Sequence, residues 1–261
     1  MSSTRILVTC LERLSSTLTD HGIWHCLAYG TLLGAVRDGD VIPWDDDIDL
    51  LVRPDQVDRI LGLNPLLSRH GIVLHPVTRS GKDLAVNPSQ VRSFSPGNLA
   101  ILVSGDKCGD LYAFNLFSDG VLRRFDLATG VYWCPHSSFP FYFLEHLESA
   151  TVRGLTYPAP RQAERWLAGV YGDDWRIPYR APRQGGSPRA GTTSHGDGYH
   201  PKLKDELAWC MGNGWEPARY RSQLRWPRTI SGAGPIGPSQ RTQDTSRALW
   251  WRDFDELIEH F

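Results

Sequence analysis

The chain has 261 residues, 41% of them hydrophobic and 22% charged, with a formal net charge of −1. That composition fits a globular chain long enough for one large domain, or one domain and an appendage. It carries no global basic field to draw it to nucleic acid or anionic lipid, and no apolar run nears the ~20 residues of a membrane-spanning helix. Met1-Ser2-Ser3-Thr4-Arg5 lacks the basic flank and apolar stretch of a secretion signal, so a cytoplasmic or membrane-peripheral location is expected. The five cysteines (Cys10, Cys26, Cys108, Cys134, Cys210) are scattered, and none forms a Cys-x-x-Cys pair, so they read as reduced thiols. Cys134 and His136 alone do not make a zinc site.

Residues 5–20 set Ile6, Leu7, Leu11, Leu14 and Leu18 on one face, an amphipathic helix ended by His21-Gly22. Ile23 to Ala28 suits a short buried strand; Tyr29-Gly30-Thr31 breaks it, and Leu32 to Arg37 opens a helix. Asp38-Gly39-Asp40 is a turn, and Ile48 to Val52 is a second strand closed by Arg53-Pro54. A helix follows from Asp55 through Leu67, then strand candidates at Gly71–Leu74, Leu99–Val103 and Leu111–Phe117. Ser118-Asp119-Gly120 reads as a hairpin turn to Val121-Leu122; Val131–Trp133 and Ala150–Val152 read as further strands. Pro160 opens a helix that closes at Tyr171-Gly172. From Arg176 to Ser239 the text is rich in Pro, Gly, Ser and Arg and reads as long loops, and Leu249 to Phe261 reads as a closing helix. Helices and strands mix without strict alternation, which points to an α+β (mixed α/β) fold.

The chemistry concentrates in Arg37-Asp38-Gly39-Asp40-Val41-Ile42-Pro43-Trp44-Asp45-Asp46-Asp47-Ile48-Asp49. Carboxylates this close repel one another unless a cation neutralises them, and oxygen-only ligands favour a hard ion, Mg²⁺ or Mn²⁺. Strand alternation puts Asp47 and Asp49 on one face. Upstream, Gly30-Thr31 sits at a strand-to-helix turn, where bare backbone and a helix N-terminus suit a phosphate. Arg37 could reach a phosphate in bidentate fashion, or pair with Asp40 or Asp47. Trp44 could stack on a base or sugar, or simply pack beside Pro43.

Tyr29-Gly30-Thr31-Leu32-Leu33-Gly34-Ala35-Val36-Arg37, followed by Ile42-Pro43-Trp44-Asp45-Asp46-Asp47-Ile48-Asp49-Leu50, closely resembles the signature of the LicD family. That family includes bacterial phosphorylcholine transferases and eukaryotic fukutin-related proteins, within the nucleotidyltransferase-fold superfamily. The resemblance implies a mixed sheet flanked by helices, with two acidic metal ligands and a third carboxylate from a neighbouring strand. Asp47 and Asp49 take the first two positions, and Asp110 fits the third because an isolated aspartate opens an apolar strand there. Tyr171-Gly172-Asp173-Asp174-Trp175 resembles a segment near the end of the family domain, although Tyr171 and Trp175 also read as aromatics sealing a helix end. The expected organisation is a LicD-like domain over 1–180 and a loop-rich basic extension over 181–261. The chain departs from fukutin-related protein in having no cysteine-rich zinc insertion, and Thr78 to Asn98 does not align.

The resemblance implies a transferase that moves a phospho-alcohol group, phosphocholine or similar, from a CDP-linked donor to a glycan or sugar hydroxyl. Asp47, Asp49 and Asp110 would hold Mg²⁺ (or Mn²⁺), and Gly30, Thr31, Arg37 and Trp44 would contact the donor. One alternative is a small-molecule nucleotidyltransferase that moves NMP from an NTP. Another is a nucleotide- or glycan-binding module without catalysis. His195 and His200, in a compact polar cluster, rank below the aspartates as base or ligand. The basic residues from Arg176 to Arg228 could guide an anionic substrate, but a solvated loop is the favoured reading.

Overall fold

The first apolar stripe folds as α1 (Ser3–Asp20), which buries Leu7, Leu11, Leu14 and Leu18 against a central sheet. β1 (His25–Leu27), α2 (Tyr29–Asp38) and β2 (Ile48–Val52) follow. β2 is buried at every position, as a strand covered on both faces must be, so Asp49 enters the core by strand geometry rather than by its own preference. The structure, a computed structural model, describes residues 3–76, 98–116, 120–123, 125–126, 131–132, 139–178 and 199–217.

β3 (Ile72–Pro76), β4 (Asn98–Val103) and β5 (Asp106–Ala113) complete a five-stranded sheet in the order β1-β2-β5-β4-β3. β2 and β5 run parallel and the other neighbours antiparallel, so the sheet is mixed. Between β2 and β3 the single helix expected from Asp55 to Leu67 is broken. A 3₁₀ turn at Pro54–Gln56 leads into α3 (Val57–Leu61) and α4 (Asn64–Leu67). Pro65 favours the break, because it lacks the N–H that a continuous helix would donate to the Leu61 carbonyl, and it fits the first turn of α4.

Beyond the main sheet, β6 (Asn115–Leu116), β7 (Val121–Arg123) and β10 (Phe139–Pro140) form a small sheet, and β8 (Phe125–Asp126) pairs with β9 (Val131–Tyr132). β11 (Glu148–Val152) and β12 (Leu155–Ala159) form a hairpin whose turn residues, Arg153 and Gly154, both have positive φ, as a turn matched to strand twist requires. The sequence pattern gave only the first of these two strands. α5 (Ala163–Tyr171) then packs against α2.

Residues 176–239, expected to be loops, contain α6 (Tyr199–Gly212). It docks on the domain through buried Leu207 and Cys210, with Trp215 buried just after it. Trp209 stacks over Phe143 at 6.5 Å between ring centroids, and Arg165 pairs with Glu206 at 3.0 Å. The apolar stripe of α6 is barely two turns long and is flanked by Gly- and Pro-rich text, which hides it from periodicity. The expected closing helix at 249–261, Cys134 and His195 lie outside the described residues. Cys10, Cys26, Cys108 and Cys210 are buried free thiols. Among the described residues no helix is long and apolar enough to cross a membrane.

Candidate metal centre

β2 and β5 are in register so that Asp49 stands directly beside Asp110. The two residues are 7% and 6% exposed. Asp47, one residue before β2, joins them: a carboxylate oxygen from each of Asp47, Asp49 and Asp110 lies within 4.8 Å of the others. Asp45, Asp46 and Asp47 form a second such group within the same 4.8 Å limit, so Asp47 belongs to both. Asp47 and Asp49, singled out by the sequence pattern, and Asp110, implied by the family resemblance, are therefore brought together, with two more acids beside them.

The parallel pairing that aligns Asp49 with Asp110 depends on Gly109. A Cβ there would lie 2.0 Å from the Ile48 carbonyl oxygen, so no side chain fits without separating the strands. Gly30 leaves room on the other side: a Cβ there would meet the end of the Asp45 side chain, Oδ2, at 2.7 Å. Gly30 and Thr31 lie within the first turn of α2, one turn earlier than the sequence pattern placed the helix. Thr31 is buried, and its hydroxyl accepts a hydrogen bond from the Asp49 backbone N–H at 2.8 Å. A reciprocal tie runs from the Ala28 N–H to the Asp49 carbonyl at 3.1 Å. The Gly-Thr turn thus clamps the acidic strand.

The electrostatics are those of crowded, partly dehydrated carboxylates. Burial raises the pKa of Asp49 well above the usual carboxylate range, and the charges of Asp47, Asp110 and Asp45 add to it, while a hydrogen bond from Tyr112 opposes. Burial likewise raises Asp47, partly offset by its hydrogen bond with Asp45. Asp45 is pushed up to about 7 by burial first, then by the charge of Asp47 and the hydrogen bond to it. Asp49 Oδ1 is buried and has no hydrogen-bond partner among the described residues. A buried acceptor left so is unfavourable unless something else satisfies it. Together, clustered hard oxygen donors and an orphaned lone pair fit a divalent cation, and the cluster could hold one.

Other residues fall at different distances from this chemistry. Trp44 is 36% exposed just before the acidic run. Arg37 does not pair with Asp40 or Asp47; its guanidinium grips the adjacent Asp38 in bidentate fashion at 2.9 and 2.7 Å, and Asp40 is held by Arg153. His200 lies in the first turn of α6. Two further residues were not read as part of the site from sequence. Lys107 Nζ sits 2.9 Å from Asp110 Oδ2. Tyr171, read as a structural seal, is raised well above the usual phenol range, by burial first and then by Asp49, Tyr29, Asp45 and Asp47. Its phenol therefore feels the acidic centre, and only its place in a family-like segment could have flagged it.

A mixed sheet that presents acids from one strand beside a third from a parallel neighbour, with a Gly-Thr turn against them, is the layout of a nucleotidyltransferase-fold domain. Residues 22–162 match the family model described as LicD/FKTN/FKRP, nucleotidyltransferase domain, and the chain belongs to that family. The matched segment includes Gly30, Thr31, the Asp45–Asp49 run and Asp110, whereas Tyr171 lies beyond it. No individual curated protein matches the chain.

Proposed function

We propose that the chain is a metal-dependent transferase that moves a phospho-alcohol group, phosphocholine or a similar one, from a CDP-activated donor to a hydroxyl of a glycan or related acceptor. The observation that carries this reading is the buried cluster of Asp47, Asp49 and Asp110, with oxygens within 4.8 Å of one another, inside the family domain. Asp47, Asp49 and Asp110 would hold Mg²⁺ or Mn²⁺. When bound, such an ion supplies charge neutralisation for a diphosphate and for the phosphoryl group in transfer.

The chain's own residues then have distinct tasks. Thr31 fixes Asp49 through its backbone N–H. Gly30 and the N-terminal end of α2 would receive the donor phosphates. Trp44, exposed, offers a ring face for the base or sugar. Arg37 joins in only by opening its pair with Asp38. Asp110 accepts the proton of the attacking hydroxyl. The acceptor oxygen bonds to the distal phosphorus in line, the bond from that phosphorus to the bridging oxygen breaks, and CMP leaves with the electron pair.

Product analysis tests the reading. Purified protein incubated with Mg²⁺, CDP-choline or CDP-ribitol, and glycan or sugar acceptors should release CMP, and Asp47→Asn should release none. Pyrophosphate released from an NTP would replace this reading with NMP transfer. Nucleotide binding without any product would support the non-catalytic module.

A further inference from the structure

β5 is irregular at one place, and the irregularity decides where Lys107 points. Ile101 of β4 faces Gly109, yet the next residue, Leu102, faces Lys107, so Cys108 is the extra residue of a β-bulge. In an uninterrupted strand, residues three apart stand on opposite faces. The bulge cancels that alternation and turns Lys107 toward Asp110, with Nζ 2.9 Å from Oδ2. The lysine side chain is 55% exposed and the carboxylate it reaches 8% exposed. The ammonium therefore comes in from solvent and closes over a buried acid. It also feels the charges of Asp47 and Asp49.

We propose that Lys107 is a built-in counter-cation that neutralises the acidic centre until a divalent ion displaces it, and that the displaced ammonium then anchors a phosphate oxygen of the nucleotide donor. This rests on the reading of the centre as a metal-dependent donor site. An ion that takes Oδ2 of Asp110 removes the partner of Lys107, and two cations on one carboxylate repel. A lysine on a flexible, largely hydrated stem moves easily to the nearest anion, and as a compact point charge it suits phosphate. Bulges commonly re-aim a side chain beside an active site, which is what this one does.

The proposal requires opposite effects from one substitution. Without nucleotide, Lys107→Met should bind Mn²⁺ about tenfold more tightly than the wild type, because the competing cation is gone. With saturating Mn²⁺, the same variant should bind CDP about tenfold more weakly. Lys107→Arg, which keeps the charge, should stay within about twofold of the wild type in both titrations. Calorimetric titration reads all three, and Lys107→Gln replaces Lys107→Met if the latter does not fold. Unchanged or weaker Mn²⁺ binding, unchanged CDP binding, or equal shifts in the Met and Arg variants would each overturn the proposal. The underlying reading fails separately. A wild-type protein that binds no divalent ion, or an Asp47→Asn variant that binds it normally, overturns the metal centre itself.

Discussion

Asp49 and Asp110 stand side by side across the parallel β2/β5 pair, both almost fully buried. Burying Asp49 costs stability first through lost hydration and then through repulsion from Asp47, Asp110 and Asp45, so the site weakens the cation-free fold. Asp49→Asn should therefore raise the stability of the metal-free protein by on the order of 1 kcal/mol. The same change should abolish the stabilisation that Mg²⁺ gives the wild type. Thermal unfolding with chelator and with Mg²⁺ checks both; an Asn variant less stable than the wild type under chelator would contradict the repulsion argument.

Thr31 acts on the centre through the backbone. Thr31→Val keeps the volume but leaves the Asp49 N–H buried without its 2.8 Å acceptor. The expected loss is about 1–3 kcal/mol of stability, together with weaker metal binding as Asp49 loses its tether. Thr31→Ser should restore most of both. Denaturant unfolding and Mn²⁺ titration of the two variants provide the comparison.

Gly109 is irreplaceable for a steric reason. Gly109→Ala would force a methyl to within 2.0 Å of the Ile48 carbonyl oxygen, and neither backbone can give way without parting β2 from β5. A loss of about 3 kcal/mol or more is expected, with loss of metal binding. Gly212→Ala, where a Cβ meets nothing within 4 Å, is the matched control and should be near neutral.

The pH dependence follows from Asp45. Its folded-state pKa of about 7 lies above the ordinary value of 3.8, so across that window the folded protein binds more protons than the unfolded chain. Stability of the metal-free protein from this group therefore falls as pH rises from 3.8 toward 7 and is level above. Metal binding needs the ionised carboxylates, and Asp47 and Asp49 are raised as well, so Mg²⁺ affinity should rise with pH. Titrations from about pH 5 to about pH 8 read this directly, and Asp45→Asn should remove its share of the pH dependence of metal-free stability.

The aspartates were legible in the sequence because their chemistry is local: Asp47 and Asp49 share a face by strand period alone, and a Gly-Thr turn precedes them at family spacing. Asp110 could be found only by resemblance, since nothing local to it reveals that β5 lies parallel to β2. Lys107 was invisible for a sharper reason. Regular alternation puts it on the wrong face, and only the bulge at Cys108 corrects this. The tie from the Thr31 hydroxyl to the Asp49 backbone N–H, eighteen residues away, is visible only once the fold brings the two together. The α6 helix escaped because its stripe is short and its flanks are rich in Gly and Pro, so its stability comes from Trp209, Cys210 and Trp215 packing on distant elements.

The most direct test of the central claim is a calorimetric titration of the protein with CDP-choline, CDP-ribitol, CTP and ATP, each with and without Mg²⁺. The account expects one CDP-alcohol to bind only with Mg²⁺ and to lose that binding in Asp47→Asn. Binding of a CDP-alcohol that ignores both Mg²⁺ and the Asp47 substitution would contradict it.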